Sequence, residues 1–173
     1  MNNNVIDFRG ALDASQRTDI ALQQYLLANI AGARGVHKAH PDNDRLGCDF
    51  YVEAYGKHLA VDAKVREEEK GDDDLALEHM SVVDPYIVGW TLDDKKITDY
   101  ILFHWKDSGR CELIPARELR AAFAANLEEW LAAYQNHENT SYANGRTWNS
   151  RCVYVPRLEV WRAIHRLSRG SVA

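Results

Sequence analysis

At 173 residues the chain suits one domain, since chains usually divide only above about 250 residues, and a domain of this size needs no disulfide or metal staple. Its 46% hydrophobic and 27% charged residues are ordinary globular composition, and no apolar run approaches the roughly 20 residues that span a bilayer. The net charge of −5 is unevenly spread: from Thr140 onward there are six arginines and one acid, Glu159, giving +5 on a body of −10. Such a basic segment is either a nucleic-acid footprint or a set of arginines covering the solvent face of a terminal helix. The opening Met-Asn-Asn-Asn-Val-Ile-Asp lacks the basic and apolar regions of a signal peptide. Cys48, Cys111 and Cys152 are odd in number, far apart and without a CxxC pair. They argue against a disulfide framework or zinc knuckle and point to a reducing, cytoplasmic setting.

Asp13-Ala-Ser-Gln16 has capping-box spacing, and Ile20, Leu22, Tyr25, Leu26, Leu27 and Ile30 predict a helix over about 15–31, ended by Gly32 and Gly35. A short strand near Val36–Ala39 and a polar loop, His40–Arg45, follow. Two extended segments, Cys48–Ala54 and Lys57–Val65, are joined through Tyr55-Gly56. The acidic stretch 66–74 reads as a long solvated connection, Leu75–Val83 as a third strand and Thr98–Trp105 as the strongest strand signal of all. Cys111–Ile114 pairs with it through Asp107-Ser-Gly109, and Pro115 stands in the first turn of a helix striped by Leu119, Phe123, Leu127, Trp130, Leu131 and Tyr134. Residues 137–150 read as polar and turn-rich, Arg151–Val155 as a last strand, and Leu158, Trp161, Ile164 and Leu167 as a last helix.

The chemistry lies in residues 47–65. With Tyr55 and Gly56 central in a two-residue hairpin, cross-strand partners sum to 111, which sets Asp49 opposite Asp62. Side chains alternate, so Lys64 shares the face of Asp62, while Phe50, Val52, Leu59, Val61 and Ala63 point to the other face and pack. Like charges directly opposite each other destabilise a strand pair, and a divalent cation is the economical way to offset them. Two carboxylates suit Mg²⁺ or Mn²⁺, which keep waters that serve as nucleophile or touch substrate, and an adjacent lysine can orient water or stabilise a pentavalent phosphate. This is the chemistry of phosphodiester hydrolysis. The alternative is a half-exposed strand pair bearing a surface ion pair of little energetic consequence.

An Asp on one strand, a short hairpin, then [D/E]-x-K on the next is the core signature of the PD-(D/E)XK, or restriction-endonuclease-like, superfamily. Residues 47–64 resemble it, with Asp49 followed by Asp62-Ala63-Lys64. The resemblance implies an α/β fold with a mixed, largely antiparallel central sheet flanked by helices, and a Mg²⁺- or Mn²⁺-dependent nuclease acting on DNA more than RNA. Asp49 and Asp62 would hold the metal and Lys64 would position water or stabilise the transition state. Three departures stand: Cys48, not Pro, precedes Asp49; Pro41-Asp42 matches the name literally but lies in a loop twenty residues from Asp62; and the QxxxY motif of the exonuclease branch is absent. Asp19 is the acid well inside the first helix, where many members carry one.

Glu78 is a candidate third metal carboxylate from the next strand, or a solvent-facing strand residue. Arg151, Arg157, Arg162 and Arg166 are candidate phosphate contacts, which would position nucleic acid without reading its sequence. Gly89-Trp90, Tyr100, Phe103 and Trp105 read as core, and Tyr142, Trp148 and Tyr154 as better candidates for stacking on bases. His37 and His40 are three apart but flank a loop. The competing function is a catalytically inactive protein of the same fold that binds a protein or nucleic-acid partner, which the acidic stretch favours and intact Asp49, Asp62 and Lys64 oppose.

Overall fold

A computed structural model of the chain describes residues 8–66, 73–143 and 145–170. Among these, α1 (Phe8–Asn29) leads through β1 (Ala33–Lys38) and a 3₁₀ turn (Pro41–Leu46) to β2 (Phe50–Ala54) and β3 (Lys57–Arg66). Then come β4 (Asp74–Val82), β5 (Ile87–Val88), β6 (Tyr100–Trp105), β7 (Cys111–Pro115), α2 (Ala116–Ala133), β8 (Asn136–Ala143), β9 (Arg146–Pro156) and α3 (Arg157–Gly170). Two sheets result. One is five-stranded in the order β1-β2-β3-β6-β7, mixed because β3 and β6 run parallel; the other is antiparallel, β5-β4-β9-β8. The expected mixed α/β architecture is present, and the second sheet is an addition to it.

The β2–β3 hairpin has the expected register, from Phe50 opposite Val61 to Ala54 opposite Lys57. Tyr55 and Gly56 both take positive φ, 52° and 73°. That is the mirror-image turn whose twist matches the strands it joins. Phe50, Val52 and Val61 are buried with Leu22 and Leu26 on one side of α1 and with Ile30 just past its end, each four residues apart. On the sheet's other face, Ile101, Phe103, Trp105 and Ile114 form a larger core with Leu119, Phe123 and Trp130 of α2, Val160 and Ile164 of α3, and Leu75, Leu77, Val153 and Val155 of the second sheet. Each such fully buried side chain contributes about 1.5–3 kcal/mol. In the parallel register Asp62 pairs with Ile101 and Lys64 with Phe103, so both polar residues stand at the margin of that larger core.

Several local expectations are corrected. The helix expected from 15 begins at Phe8, and the loop 40–45 is largely a 3₁₀ turn. Pro115 ends β7 and precedes α2, with ψ of 122°, rather than joining its first turn. Residues 137–143 and 146–150 belong to β8 and the first half of β9 instead of turns. This hairpin turns at Gly145, φ 73°, and is tied by polar cross-strand pairs: Arg151 Nε to Glu138 Oε2 at 2.8 Å and Thr140 Oγ1 to Asn149 Oδ1 at 3.0 Å. With few apolar residues on either face it shows no hydrophobic alternation. Of the acidic stretch, 67–72 lies outside the described residues, while Arg66 ends β3 and Asp74 begins β4, joined Nη1 to Oδ1 at 2.6 Å. All three cysteines are free, and no described helix is long and apolar enough to cross a membrane.

Candidate active site

Asp62 sits on β3, the middle strand of the mixed sheet, with its side chain 7% exposed. Lys64, two residues on along the same face, extends its ammonium to Asp62 Oδ1 at 2.8 Å. Asp49 arrives differently from the sequence expectation. It precedes β2, and its N–H donates to Val61 O at 2.8 Å although Phe50 is the ladder partner of Val61. Two residues thus oppose one, in the manner of a bulge that re-aims a side chain. The Asp49 carbonyl accepts from Ala39 N–H at 2.8 Å, locking the residue between β1 and β3. Its carboxylate Oδ2 then accepts the Ala63 N–H at 2.7 Å, replacing the ladder carbonyl that the bulge displaced. The two carboxyls remain neighbours, close enough for the charge of Asp62 to act on Asp49.

The electrostatics follow from this placement. Burial holds the Asp49 carboxyl above its ordinary range, and the charge of Asp62 raises it further. The Ala63 N–H and the Lys64 ammonium pull the other way, less strongly in sum. Asp49 therefore resists ionisation, and positive charge beside it favours the charged form. The donor set fits Mg²⁺ or Mn²⁺: hard anionic oxygens, one from each residue lacking a hydrogen-bond donor among the described residues. Among the described residues no third His, Cys, Asp or Glu joins them to complete a protein-only cage, so remaining ligand positions would fall to water and substrate, as a small octahedral ion favours.

Glu78 is directed elsewhere. Its Oε1 accepts from the Ser81 hydroxyl and, at 3.3 Å, from the Trp90 N–H, at a register shift in β4. It nevertheless belongs to the same neighbourhood, since the charges of both Glu78 and Lys64 act on the buried Cys152 thiol. Trp90, which the sequence placed in the core, is only partly buried, and its ring lies 4.9 Å from Lys64 Nζ. A Gly-Trp after a two-residue strand was the available signal, but nothing in it points to a lysine 26 positions earlier.

The remaining candidates are dispersed. Asp42 is exposed and pairs with His40 at 3.2 Å, Asp19 Oδ2 holds Lys38 at 2.6 Å, and His37 pairs with Glu53 at 3.3 Å. Of the arginines, Arg151 and Arg146 lie on β9, the other four on α3. Arg151 is bound to Glu138, Arg157 to Asp73 at 2.9 Å and Glu112 at 3.4 Å, and Arg162 to Glu159. Arg166 has no acidic partner among the described residues and lines, with Arg162, His165 and Arg169, a surface concavity of ≈ 380 Å³. Tyr142 is the most exposed of the proposed stacking aromatics; Tyr154 instead lies 5.2 Å beneath the Arg66 guanidinium. No family model, curated protein or solved structure matches this chain.

Proposed function

We propose that the chain is a Mg²⁺- or Mn²⁺-dependent nuclease of PD-(D/E)XK type, hydrolysing phosphodiester bonds in DNA more than RNA. The observation that carries this is buried Asp62 with half-buried Asp49 beside it and the Lys64 ammonium 2.8 Å from Asp62 Oδ1. Its placement on a central hairpin, after a helix and beside a parallel strand, supports the restriction-endonuclease-like layout.

Asp49 and Asp62 would hold the cation, which when bound supplies a polarised water and neutralises charge on phosphate oxygens. Lys64 donates from beside the pair, either to the attacking water or to a non-bridging phosphate oxygen. The Ala63 N–H fixes one oxygen of Asp49 and the Ala39 N–H fixes its carbonyl, so the carboxylate keeps its direction without help from ligand. Burial of Asp62 limits water around the reacting centre and strengthens each of these interactions. Arg166 and its neighbours on α3 would meet phosphates of the substrate.

The test is incubation of the protein with single- and double-stranded DNA and RNA in Mn²⁺ or EDTA. Cleavage in Mn²⁺ that disappears with EDTA and in Asp62→Asn is the expected result. Intact substrates in all four Mn²⁺ reactions would rule the activity out and leave the partner-binding alternative, which the engagement of Arg151, Arg157 and Arg162 by acids favours.

A further inference from the structure

The Lys64 ammonium has two neighbours of opposite kind. On one side is Asp62 Oδ1 at 2.8 Å; on the other is the face of Trp90, with the ring centroid 4.9 Å away. A cation over an indole face is attracted by the ring quadrupole, most strongly where water is partly excluded, and the Lys64 side chain is 29% exposed. Trp90 is itself held on several sides. Its N–H donates to Glu78 Oε1 at 3.3 Å, the following Thr91 N–H donates to Glu78 O at 3.3 Å, and its ring tilts against Phe103 at 6.3 Å. Phe103 is fully buried and is the parallel-register partner of Lys64. The approach also depends on Gly89, where an added Cβ would come within 2.2 Å of the Glu78 carbonyl oxygen. Gly89 N–H donates to His79 O at 3.0 Å, and Leu92 and Asp93 N–H both return to Gly89 O, so the turn bearing Trp90 is fixed to β4 at both ends.

We propose that Trp90, delivered from the second sheet, is the positioning residue that keeps the Lys64 ammonium at the Asp49–Asp62 pair. The physical need is specific. A lysine has a flexible four-carbon stem, and an ammonium held by Asp62 alone competes for that carboxylate with any cation the pair takes up. An aromatic face holds the ammonium without consuming a carboxylate oxygen. Glu78 then has a role other than metal ligation: it orients the backbone of Trp90. Placement of the lysine rests on the geometry alone; its consequence for cleavage rests on the nuclease function proposed above.

The two parts are tested separately. In metal-free protein carrying isotope-labelled lysine, the Lys64 ε-methylene signal, identified by its loss in Lys64→Ala, should lie upfield of the other lysines because of the indole ring current. Trp90→Leu should return it to the common position, and Trp90→Phe should keep part of the shift. In Mn²⁺ with a mixed DNA oligonucleotide substrate, Trp90→Leu should lower kcat about 5- to 30-fold with KM little changed, and Trp90→Phe should recover most of the loss. A Lys64 signal unshifted in the wild type overturns the proposal, as does unchanged kcat in Trp90→Leu where the wild type cleaves. Absence of cleavage by the wild type would reject the nuclease function, while a ring-current shift lost in Trp90→Leu would still establish the contact.

Discussion

Two aspartates of this chain live in opposite electrostatic surroundings. Asp73, ahead of β4, is bound by Arg157 Nε at 2.9 Å and Arg110 Nη1 at 3.0 Å, and the hydrogen bond from Arg157 above all holds its carboxyl below the ordinary range. Asp49 is raised instead, by burial first and by a second carboxyl beside it. Arg157 also reaches Glu112, whose other oxygen takes the Trp161 indole N–H, so the Asp73 cluster ties α3 to β7 and the start of β4. Acid and base balance there and stability results. At Asp49 and Asp62 a folded protein keeps two anions together with one lysine, an arrangement that costs stability unless a cation arrives. That imbalance is what the proposed cation site would relieve.

The contrast is broken most severely by Lys64→Ala. Cleavage in Mn²⁺ should fall about 10²–10³-fold, while the cation still binds, since the variant removes a positive charge from beside it. Retained cleavage together with retained metal binding would reassign the lysine. The buried Cys152 isolates burial from the carboxylate chemistry. Burial, then Glu78, lifts its thiol well above the ordinary thiol range, to about 11. A group whose folded pKa is raised stabilises the fold below its unfolded value and loses that contribution as pH rises through the folded one. Denaturation between pH 9 and 11 should therefore show a loss of up to about 2–3 kcal/mol in the wild type that is absent from Cys152→Ala; parallel pH profiles would place the thiol in a wetter setting.

The same substitution should act with opposite sign at the two aspartates. Asp49→Asn relieves a like-charge contact and should stabilise the metal-free protein by up to about 1 kcal/mol. Asp73→Asn removes charge-assisted hydrogen bonds and should destabilise by about 1 kcal/mol, kept small because the carboxyl is half exposed. Their pH dependences are opposed as well. Asp73, depressed in the folded state, stabilises above its unfolded pKa, a contribution lost as pH falls through the folded value; Asp49, raised, adds stability as pH falls through its folded value. Urea denaturation of both variants across acidic pH reads the two signs, and equal signs would erase the distinction. The smallest effect concerns cations: Arg166→Ala should flatten the log–log salt dependence of DNA binding by nearly 0.9, and Arg157→Ala by less because Asp73 and Glu112 already engage it.

The β2–β3 hairpin was legible because two local rules agreed, a Tyr-Gly turn and strict alternation of Phe50, Val52, Leu59 and Val61, so its register and the shared face of Asp62 and Lys64 follow without tertiary information. The bulge at Asp49 was not legible, since it depends on the amides of Ala39, just after β1, and Ala63 of β3. The β8–β9 hairpin escaped because its strands are paired by Glu138, Thr140, Asn149 and Arg151, residues whose composition resembles a loop. Trp90 was visible as an aromatic but not as a partner of Lys64, because that contact is made between sheets by a turn whose approach Gly89 permits.

The most direct test of the carboxylate pair is the melting temperature of wild type, Asp49→Asn and Asp62→Asn across a Mn²⁺ titration. Wild type should start below Asp49→Asn and rise with Mn²⁺, by an amount that grows with the logarithm of cation concentration once it exceeds Kd, while neither variant rises comparably. A wild-type melting temperature indifferent to Mn²⁺, or a rise of equal size in Asp62→Asn, would contradict a cation site at Asp49 and Asp62.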